Sequence, residues 1–517
     1  MSNQKVISKT EEELQRAILQ EKARGTSDLE IGRKYGVTFR YIESLITRSQ
    51  GLNISVLRGS KRIKTLYPKD FKQERTTVWS FKQRGKWATH SGEYRGNWSP
   101  YIPRNVLLRY SKPGELVLDY FCGAGTTAVE CKLLGRKCIA FDINDRAIEL
   151  AKRNASFSVE SQQLILVGDE SHLKVYEPEL SVGDARALAF IQDNSIDLIC
   201  AHPPYANIIH YTDSKESDLS FLDVDDFLEE MSKVAKESFR VLKPGRQCAI
   251  LIGDTRRKKH VVPLGFKLIN TYLDAGFKLR ELVIKRQHNC KTTGFWYASS
   301  IKYNFLLLAH EYLPVFEKPE APLLSGVREV ETAYGLVAPT LGKPPLKRKL
   351  VELETTTVWV LPEKDFERRL NKNVIDRYSG GGGYSTIDFS SYSENETSFS
   401  KNREKRKGLL FVRSPFLSNN PSQSTNELYL QKVKETVVQN LTKITEGGFI
   451  VIQTQDVSID GYIEPLAKRL IDMLTLDDLW LKEIIVVTQE KANSSTPNSR
   501  DCLRIAHQYL LVYEVRK

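Results

Sequence analysis

The chain has 517 residues, 41% of them hydrophobic, enough for two or three domains with cores of their own. No apolar run approaches the ~18 residues of a membrane span, the N-terminus MSNQKVISKTEEELQ has no signal-peptide core, and seven scattered cysteines without a CxxC suggest neither a disulfide framework nor a zinc site, so a cytoplasmic protein is expected. The net charge of +12 is concentrated: from Gly51 to Lys112, fourteen Lys or Arg face three acids (Asp70, Glu74, Glu93), with Tyr67, Phe71, Trp79, Trp87, Trp98 and Tyr101 among them. Cations interleaved with aromatics suit phosphates and unstacked bases; the alternative is a solvated basic face whose tryptophans belong to the core.

In chain order, residues 9–52 predict helices. Glu11–Lys22 is amphipathic, Ser27 is an N-cap with Glu30 three residues on, and Gly36-Val-Thr38 is a turn before Phe39–Arg48. Ile31, Val37, Ile42 and Leu45, with small Gly32 and turn Gly36, fit a helix-turn-helix whose second helix presents Thr38, Arg40, Tyr41 and Ser44 to DNA. A purely structural helical cap has the same spacing. Residues 53–75 read as a basic arm. From Leu116 onward strands and helices alternate: strand Leu116–Phe121, helix Thr126–Leu134, strand Lys137–Phe141, helix Arg146–Arg153, strand Leu180–Val182 and strand Ile196–Ala201. Helix Val224–Val241 is expected to stop at Lys243-Pro-Gly245, followed by strand Gln247–Ile252, helix Val262–Ala275, strand Lys278–Lys285 and a last strand near Lys302–Phe316. The class is α/β, with a doubly wound, mostly parallel sheet that binds ligands beyond its strand tips.

The remainder is an internal repeat. TTVW recurs at 76–79 and 356–359, and HEYLPVFE (310–317) recurs as HQYLLVYE (507–514). DLICAHPPYAN (197–207) matches GLLFVRSPFLSN (408–419), and GRQCAILIGD (245–254) matches GGFIVIQTQD (447–456). Between Trp359 and Gly408 no strand, GxG turn and helix are evident, so the second half reads as a degenerate copy. Domains are therefore expected at 1–55 (helical), 56–318 (Rossmann-like, catalytic), 319–350 (proline-rich linker) and 351–517 (degenerate α/β repeat).

Two stretches carry chemistry. In DYFCGAGTT (119–127) a strand runs into a G-x-G turn opening a helix, where glycine lets backbone approach a ligand, and Asp142 ends the next strand in position for ribose hydroxyls. In HPPY (202–205) two prolines stiffen a strand exit so that His202 and a carbonyl point outward, and Tyr205 offers a flat face. Such a site can grip a planar exocyclic amine. Each stretch alone also fits a ligand-free turn.

Together they resemble the D-P-F-x-G-S-G-T-T and [D/N/S]-P-P-[Y/F/W] motifs of DNA methyltransferases that modify exocyclic amino groups. WSPYIPRN (98–105), GDTRR (253–257) and HEYLPVFE add to the likeness, which covers roughly Thr76 to Lys318. The resemblance implies S-adenosyl-L-methionine as cofactor and transfer to adenine N6 or cytosine N4, with no metal. It implies that Asp119, Phe121, Gly123, Gly125 and Thr126 line the cofactor, Asp142 its ribose, Asp184 its adenine amino group, and Ser99 and Pro100 its methionine end. His202, Pro203, Pro204 and Tyr205 would form the catalytic loop. Double-stranded DNA with a flipped base, stacked on Tyr205, is the implied substrate, and a cognate restriction endonuclease a candidate partner. The chain would be a monomer or a pseudo-dimer through its C-terminal half. An RNA base methyltransferase, and a DNA-binding protein that has lost transfer, are the alternatives. His202 departs from the family's usual Asp, Asn or Ser. Neutral imidazole keeps one acceptor nitrogen and imidazolium none.

Overall fold

The computed structural model describes residues 11–23, 26, 28–38, 41, 42, 45, 63–69, 71–90, 92, 94, 96–159, 174–206, 218–288, 291–320, 334–336, 340–342, 353–380, 383–391, 406–413, 421–490 and 502–516. The chain packs as two compact units, Met1–Lys72 with Gln83–Ile250, and Gln73–Lys82 with Leu251–Lys517. Among the described residues no helix is long and apolar enough to cross a membrane.

In the first unit, helices α1 (Glu11–Ala23) and α2 (Asp28–Tyr35) close over Ile18, Ile31, Ile42 and Leu45. Gly36 turns the chain with φ +65°, and Thr38 then caps the next turn, its hydroxyl accepting from Tyr41 N–H at 3.2 Å. Thr38 is exposed and Tyr41 half-buried. Arg40, Ser44 and the expected N-cap Ser27 lie outside the described residues.

The numbering of strands starts in the second unit with β1 (Val78–Ser80) and returns to the first with α3 (Tyr101–Tyr110), β2 (Leu116–Asp119), α4 (Thr126–Leu133), β3 (Lys137–Asp142), α5 (Asp145–Ala155), β4 (Glu179–Val182), β5 (Ile196–Ala201), α6 (Val224–Val241) and β6 (Leu242–Ile250). Within the first unit five strands pair all-parallel in the order β6-β5-β2-β3-β4. The apolar runs of β2 and β5 are the buried centre of this sheet, as expected for a sheet covered on both faces. The chain winds outward from β2 through β3 and β4, then restarts on the other side at β5. The switch point therefore lies between the tips of β2 and β5, where such folds open a ligand crevice.

Some boundaries differ from the sequence reading. Lys243-Pro-Gly245 does not separate helix from strand, because β6 begins at Leu242 and runs through it. Ile196 pairs with Leu242 but Leu198 with Gln247, so residues 243–246 bulge out, with Gly245 at φ +72°. Asp197 anchors the bulge, pairing with Lys243 Nζ at 2.6 Å and accepting from Leu116 N–H at 2.9 Å. The tryptophans of the basic stretch are core residues: Trp79, Trp87 and Trp98 are 0, 3 and 6% exposed. The indoles of Trp79 and Trp87 pack in the core, as in the alternative reading of this stretch.

The second unit continues with the hairpin β7 (Thr255–Arg257) and β8 (His260–Val262), then α7 (Leu264–Asp274), β9 (Lys278–Arg286), α8 (Lys291–Tyr303) and β10 (His310–Glu317). The expected strand from Lys302 thus begins only at His310, after a helix that was not foreseen. β1 runs parallel to β9, and β9 antiparallel to β10.

Then come β11 (Tyr334–Leu336), β12 (Thr340–Gly342), β13 (Val358–Leu361), α9 (Phe366–Tyr378), β14 (Tyr384–Ser391), β15 (Lys407–Arg413), α10 (Gln423–Leu441), β16 (Ile444–Thr454), β17 (Val457–Ile459), β18 (Tyr462–Glu464), α11 (Leu466–Met473), β19 (Leu479–Gln489) and β20 (His507–Val515). Their sheet has the order β11-β14-β15-β16-β20-β19-β13, with β12 also on β14.

This second sheet repeats the first copy strand by strand. β14, β15 and β16 are parallel like β2, β5 and β6, and β13 lies parallel to β19 as β1 does to β9. Even the bulge recurs: Lys407 pairs with Ile444 but Leu409 with Phe449, and Gly447 has φ +70°. Between Trp359 and Gly408 the copy keeps a strand, β14, preceded rather than followed by a helix, α9. What it lacks is the counterpart of α4, β3, α5 and β4: residues 392–406 join β14 to β15, where 120–195 join β2 to β5. β11 and β12, from the stretch read as linker, pair antiparallel with β14 on the edge that β3 takes on β2.

The copies also interlock within this unit. Thr77 Oγ1 meets His507 Nδ1 at 2.8 Å, and Thr357 Oγ1 meets His310 Nδ1 at 2.9 Å. Each Trp of TTVW donates its indole N–H to the carbonyl of the first Thr, Thr76 at 3.0 Å and Thr356 at 3.1 Å. The repeated tetrapeptide is thus a docking element that each copy offers to the other's last strand.

Candidate active site

The glycine turn is built from the end of β2. Asp119 is buried beneath it and accepts from Phe121 N–H at 3.1 Å. Burial pushes its carboxyl up to about 7, against hydrogen bonds from Thr127 and Phe121. Gly123 N–H donates to Asp142 Oδ2 at 2.9 Å, and Asn144 N–H to Oδ1 at 3.0 Å, so Asp142 ties the turn to the tip of β3. Burial, with a smaller push from Asp218, raises Asp142 to about 6 against the hydrogen bonds from Asn144 and Gly123 N–H. Gly123 and Gly125 both have positive φ, +49° and +78°. A Cβ at Gly125 would stand 2.9 Å from Ala151 Cβ, so this glycine lets α4 close on α5. A Cβ at Gly123 would stand 3.0 Å from the Tyr94 ring, in the wall of a cleft.

That cleft opens at the strand switch point and lies within the first unit. Phe121, Gly123, Asp142, Asp184, His202 and Pro204 all line it, so the two sequence motifs share one cavity. Asp119, Gly125 and Thr126, with Pro203, Tyr205, Ser99 and Pro100, are not among its walls. The segment expected from Ser99–Pro100 is instead Gly96, Asn97 and Trp98. Ser99 Oγ donates to the Arg84 carbonyl at 2.7 Å, and Arg84 donates to the carbonyls of Asn97 and Trp98 at 2.7 and 2.9 Å. Thr126 Oγ1 holds Asn97 Oδ1 at 2.6 Å. Pro100 starts α3.

His202 is held on two sides. Its ring stacks on Trp98 with centroids 5.5 Å apart and planes 19° apart, and its Nε2 lies 2.8 Å from the Tyr205 hydroxyl. Asp184 is half-buried, and Arg186 brackets both its oxygens at 2.6 to 3.1 Å, with the other end of Arg186 on Glu230. Desolvation raises the Asp184 carboxyl, but Arg186 outweighs it and holds the group below the ordinary range. Tyr94, Asn97, Trp98 and Asp218 were missed as wall residues. The segment holding Asn97 and Trp98 adjoins a motif that was noticed, whereas Asp218 belongs to no recognisable pattern.

A family model described as DNA methylase matches residues 9–153 and 196–408, more than half of the chain. The chain belongs to the DNA methylase family. Over residues 114–244 a model of RNA cap guanine-N2 methyltransferases also matches. Among curated relatives, the Type II methyltransferase M.SmaI of Serratia marcescens is 35% identical over 85 residues, 16% of this chain and 28% of that protein. The Type II methyltransferase M.MthZI of Methanothermobacter thermautotrophicus is 30% identical over 146 residues, 25% of this chain and 41% of that protein. A tRNA (guanine(10)-N2)-dimethyltransferase of the same species is 30% identical over 113 residues, 22% and 29% of the two chains. The chain spans less than half the length of each of these relatives.

The wall before the glycine turn rests on a buried ionic cluster. Glu130 of α4 is fully buried and accepts from Trp87 Nε1 at 2.7 Å and Arg104 at 2.8 Å, with His90 Nε2 at 2.7 Å. Burial pushes its carboxyl up, yet Arg104 and His90 together hold it below the ordinary range. Arg104 also lies against the rings of Tyr67 and Phe71, at 5.6 and 5.2 Å. The basic-aromatic arm is thus spent on seating α3 and the Asn97–Trp98 wall against α4.

Proposed function

We propose that the chain is an S-adenosylmethionine-dependent DNA methyltransferase acting on the exocyclic amino group of adenine (N6) or cytosine (N4). The observation that carries this reading is the cleft shared by Gly123, Asp142, His202 and Pro204. The absence of a side chain at Gly123 keeps it open beneath Tyr94, and Asp142 faces it with a carboxylate whose oxygens each carry one backbone bond. These residues fit the cofactor. Phe121, Gly123, Asp142 and Asp184 would hold it, with Asn97 and Trp98 at the approach assigned by resemblance to Ser99 and Pro100. Bound there, it supplies an electrophilic methyl carbon on a sulfonium.

An aromatic amine is a poor nucleophile because its lone pair is delocalised into the ring. Acceptors at its two N–H groups favour a pyramidal nitrogen, and the His202 imidazole with the Pro203 carbonyl would supply them. A tautomer whose Nε2–H donates to Tyr205 leaves Nδ1 as the acceptor. Substrate would be duplex DNA with a flipped base, bound with help from the N-terminal helices around Thr38, Arg40, Tyr41 and Ser44. Residues 56–318 would be the catalytic copy. In residues 351–517, Arg413 takes the place of His202, offers no acceptor, and is paired with Asp388 and Glu367. That copy is a fixed partner, making the chain a pseudo-dimer with one active site. A restriction endonuclease of matching specificity would be its partner in the cell.

Mapping modified bases by single-molecule sequencing of DNA from cells expressing the chain tests this. A methylated motif absent from control cells is expected. The match to RNA methyltransferases and to a tRNA-modifying relative favours one second reading: methyl transfer to tRNA but not to DNA would select it. Cofactor binding with no transfer to either would leave a DNA-binding protein.

A further inference from the structure

We infer that the second unit carries a nucleic-acid-binding surface of its own, formed by the tip of the β7–β8 hairpin and the exposed side of α8. The inference rests on the methyltransferase reading only for the identity of the polyanion. Arg257, Lys258 and Lys259 are exposed at the hairpin tip, and Trp296, Tyr297 and Tyr303 are 47, 41 and 40% exposed on α8. The two elements form one patch, because Lys259 Nζ sits 3.9 Å from the centre of the Tyr303 ring, with Lys302 Nζ at 5.0 Å. Neither element, TRRKKHVV nor KTTGFWYASSIKY, contains an acidic residue.

The repeat supplies an internal comparison. At the equivalent turn the second copy has Asp460-Gly461, with φ +50° and +81°, the pair that a tight hairpin favours. Lys258 and Lys259 occupy the same left-handed region, at +47° and +70°, without a glycine. Side chains in that region strain the backbone, and nothing in the hairpin's own pairing requires lysine. Between β19 and β20, where α8 would recur, the sequence KANSSTPNSRD (491–501) has no aromatic residue. The lysine pair at the hairpin tip and the aromatic residues before the last strand are thus not repeated in the sequence of the second copy. Lysines at this spacing meet phosphates, and exposed rings accept unstacked bases. An acidic protein segment would use the lysines but not the exposed aromatic residues.

The test is fluorescence anisotropy of the full chain on labelled duplex and single-stranded DNA across a salt series. It compares wild type with Lys258→Glu/Lys259→Glu and with Trp296→Ala/Tyr297→Ala. The charge variant is expected to bind at least tenfold more weakly at low salt, with the logarithmic salt slope shallower by about two. The aromatic variant is expected to lose roughly tenfold per base contact at every salt concentration, with its slope unchanged. Calorimetric titration with S-adenosylmethionine should give wild-type affinity for both, showing that the fold is intact. Wild-type DNA affinity and slope in both variants would overturn the inference. If wild type binds tRNA and not DNA, the substrate reading fails instead, and the same variants on tRNA decide the surface: weakened binding keeps it, unchanged binding removes it.

Discussion

The Thr77 hydroxyl lies 2.8 Å from Nδ1 of His507, 430 residues further along the chain. It also accepts from Ala506 N–H at 3.1 Å, so its own proton points at the imidazole. His507 Nε2 then reaches the Tyr509 hydroxyl at 2.9 Å. Thr357, His310 and Tyr312 repeat the chain of bonds at 2.9 and 3.0 Å, and Tyr312 donates on to Asp254 at 3.2 Å. All these groups are buried, and the Nε2–H tautomer satisfies them in one direction.

Removing one hydroxyl therefore strands a buried imidazole nitrogen and a backbone donor. Thr77→Val and Thr357→Val should each destabilise the protein by about 1–3 kcal/mol. Denaturant unfolding measures this, and a loss below experimental error in both variants would show that the interlock does not hold the copies together.

The same network sets a pH dependence. Burial lowers His310 to about 4 and His507 to about 3 from an ordinary 6.5. The unfolded chain binds those protons first, so the histidine contribution is complete above about 6.5 and lost as pH falls toward these values. Burial raises Asp254 and Asp456 to about 7 from 3.8. Their contribution runs the other way, complete below 3.8 and lost as pH rises through 7. Within this network the opposed slopes should nearly cancel across the window from about 4 to 6.5. His507→Asn removes one histidine, so the advantage of wild type over the variant should widen as pH rises through this window. Urea midpoints that stay a constant distance apart would contradict the argument.

At the active site, His202→Ala should lower kcat by about two to three orders of magnitude, and His202→Asn should retain much of the activity because its amide oxygen accepts a hydrogen bond. Wild-type activity should fall on the acid side of neutrality, as imidazolium has no acceptor, and the Asn variant should not. A flat wild-type profile between about pH 5 and 8, beside an inactive Ala variant, would sink the acceptor role.

Tyr205 separates stacking from positioning. Tyr205→Phe keeps the ring and deletes the hydroxyl that lies 2.8 Å from His202. We expect kcat to fall about tenfold, the order of one lost hydrogen bond, with DNA affinity unchanged. Trp98→Ala, which removes the other side of the imidazole clamp, should act in the same sense. If Tyr205→Phe has wild-type kcat while Tyr205→Ala loses DNA affinity, the ring stacks on the base as first expected.

The two glycines should fail differently. Gly123→Ala places a methyl 3.0 Å from the movable Tyr94 ring, in the cleft wall, and should weaken cofactor binding more than stability. Gly125→Ala meets Ala151, fixed in α5, at 2.9 Å. It should cost more than the ~1–2 kcal/mol of the left-handed backbone alone. Calorimetry and thermal unfolding distinguish the two.

The sequence by itself determined the order of strands and helices, the glycine and proline turns at the tips of β2 and β5, and the existence of a second copy. These are local properties: apolar runs make buried strands, and Gly and Pro fix where the chain turns. It did not reveal α8, the strand through Pro244 or the survival of β14, because there packing against neighbouring strands outweighs local preference. Only the tertiary structure decided that Trp87 and Arg104 meet Glu130, that His202 is clamped by Trp98 and Tyr205, and that TTVW docks onto the other copy's histidine. Most of these partners lie far apart in the chain, and they come together only when the cores around them are filled.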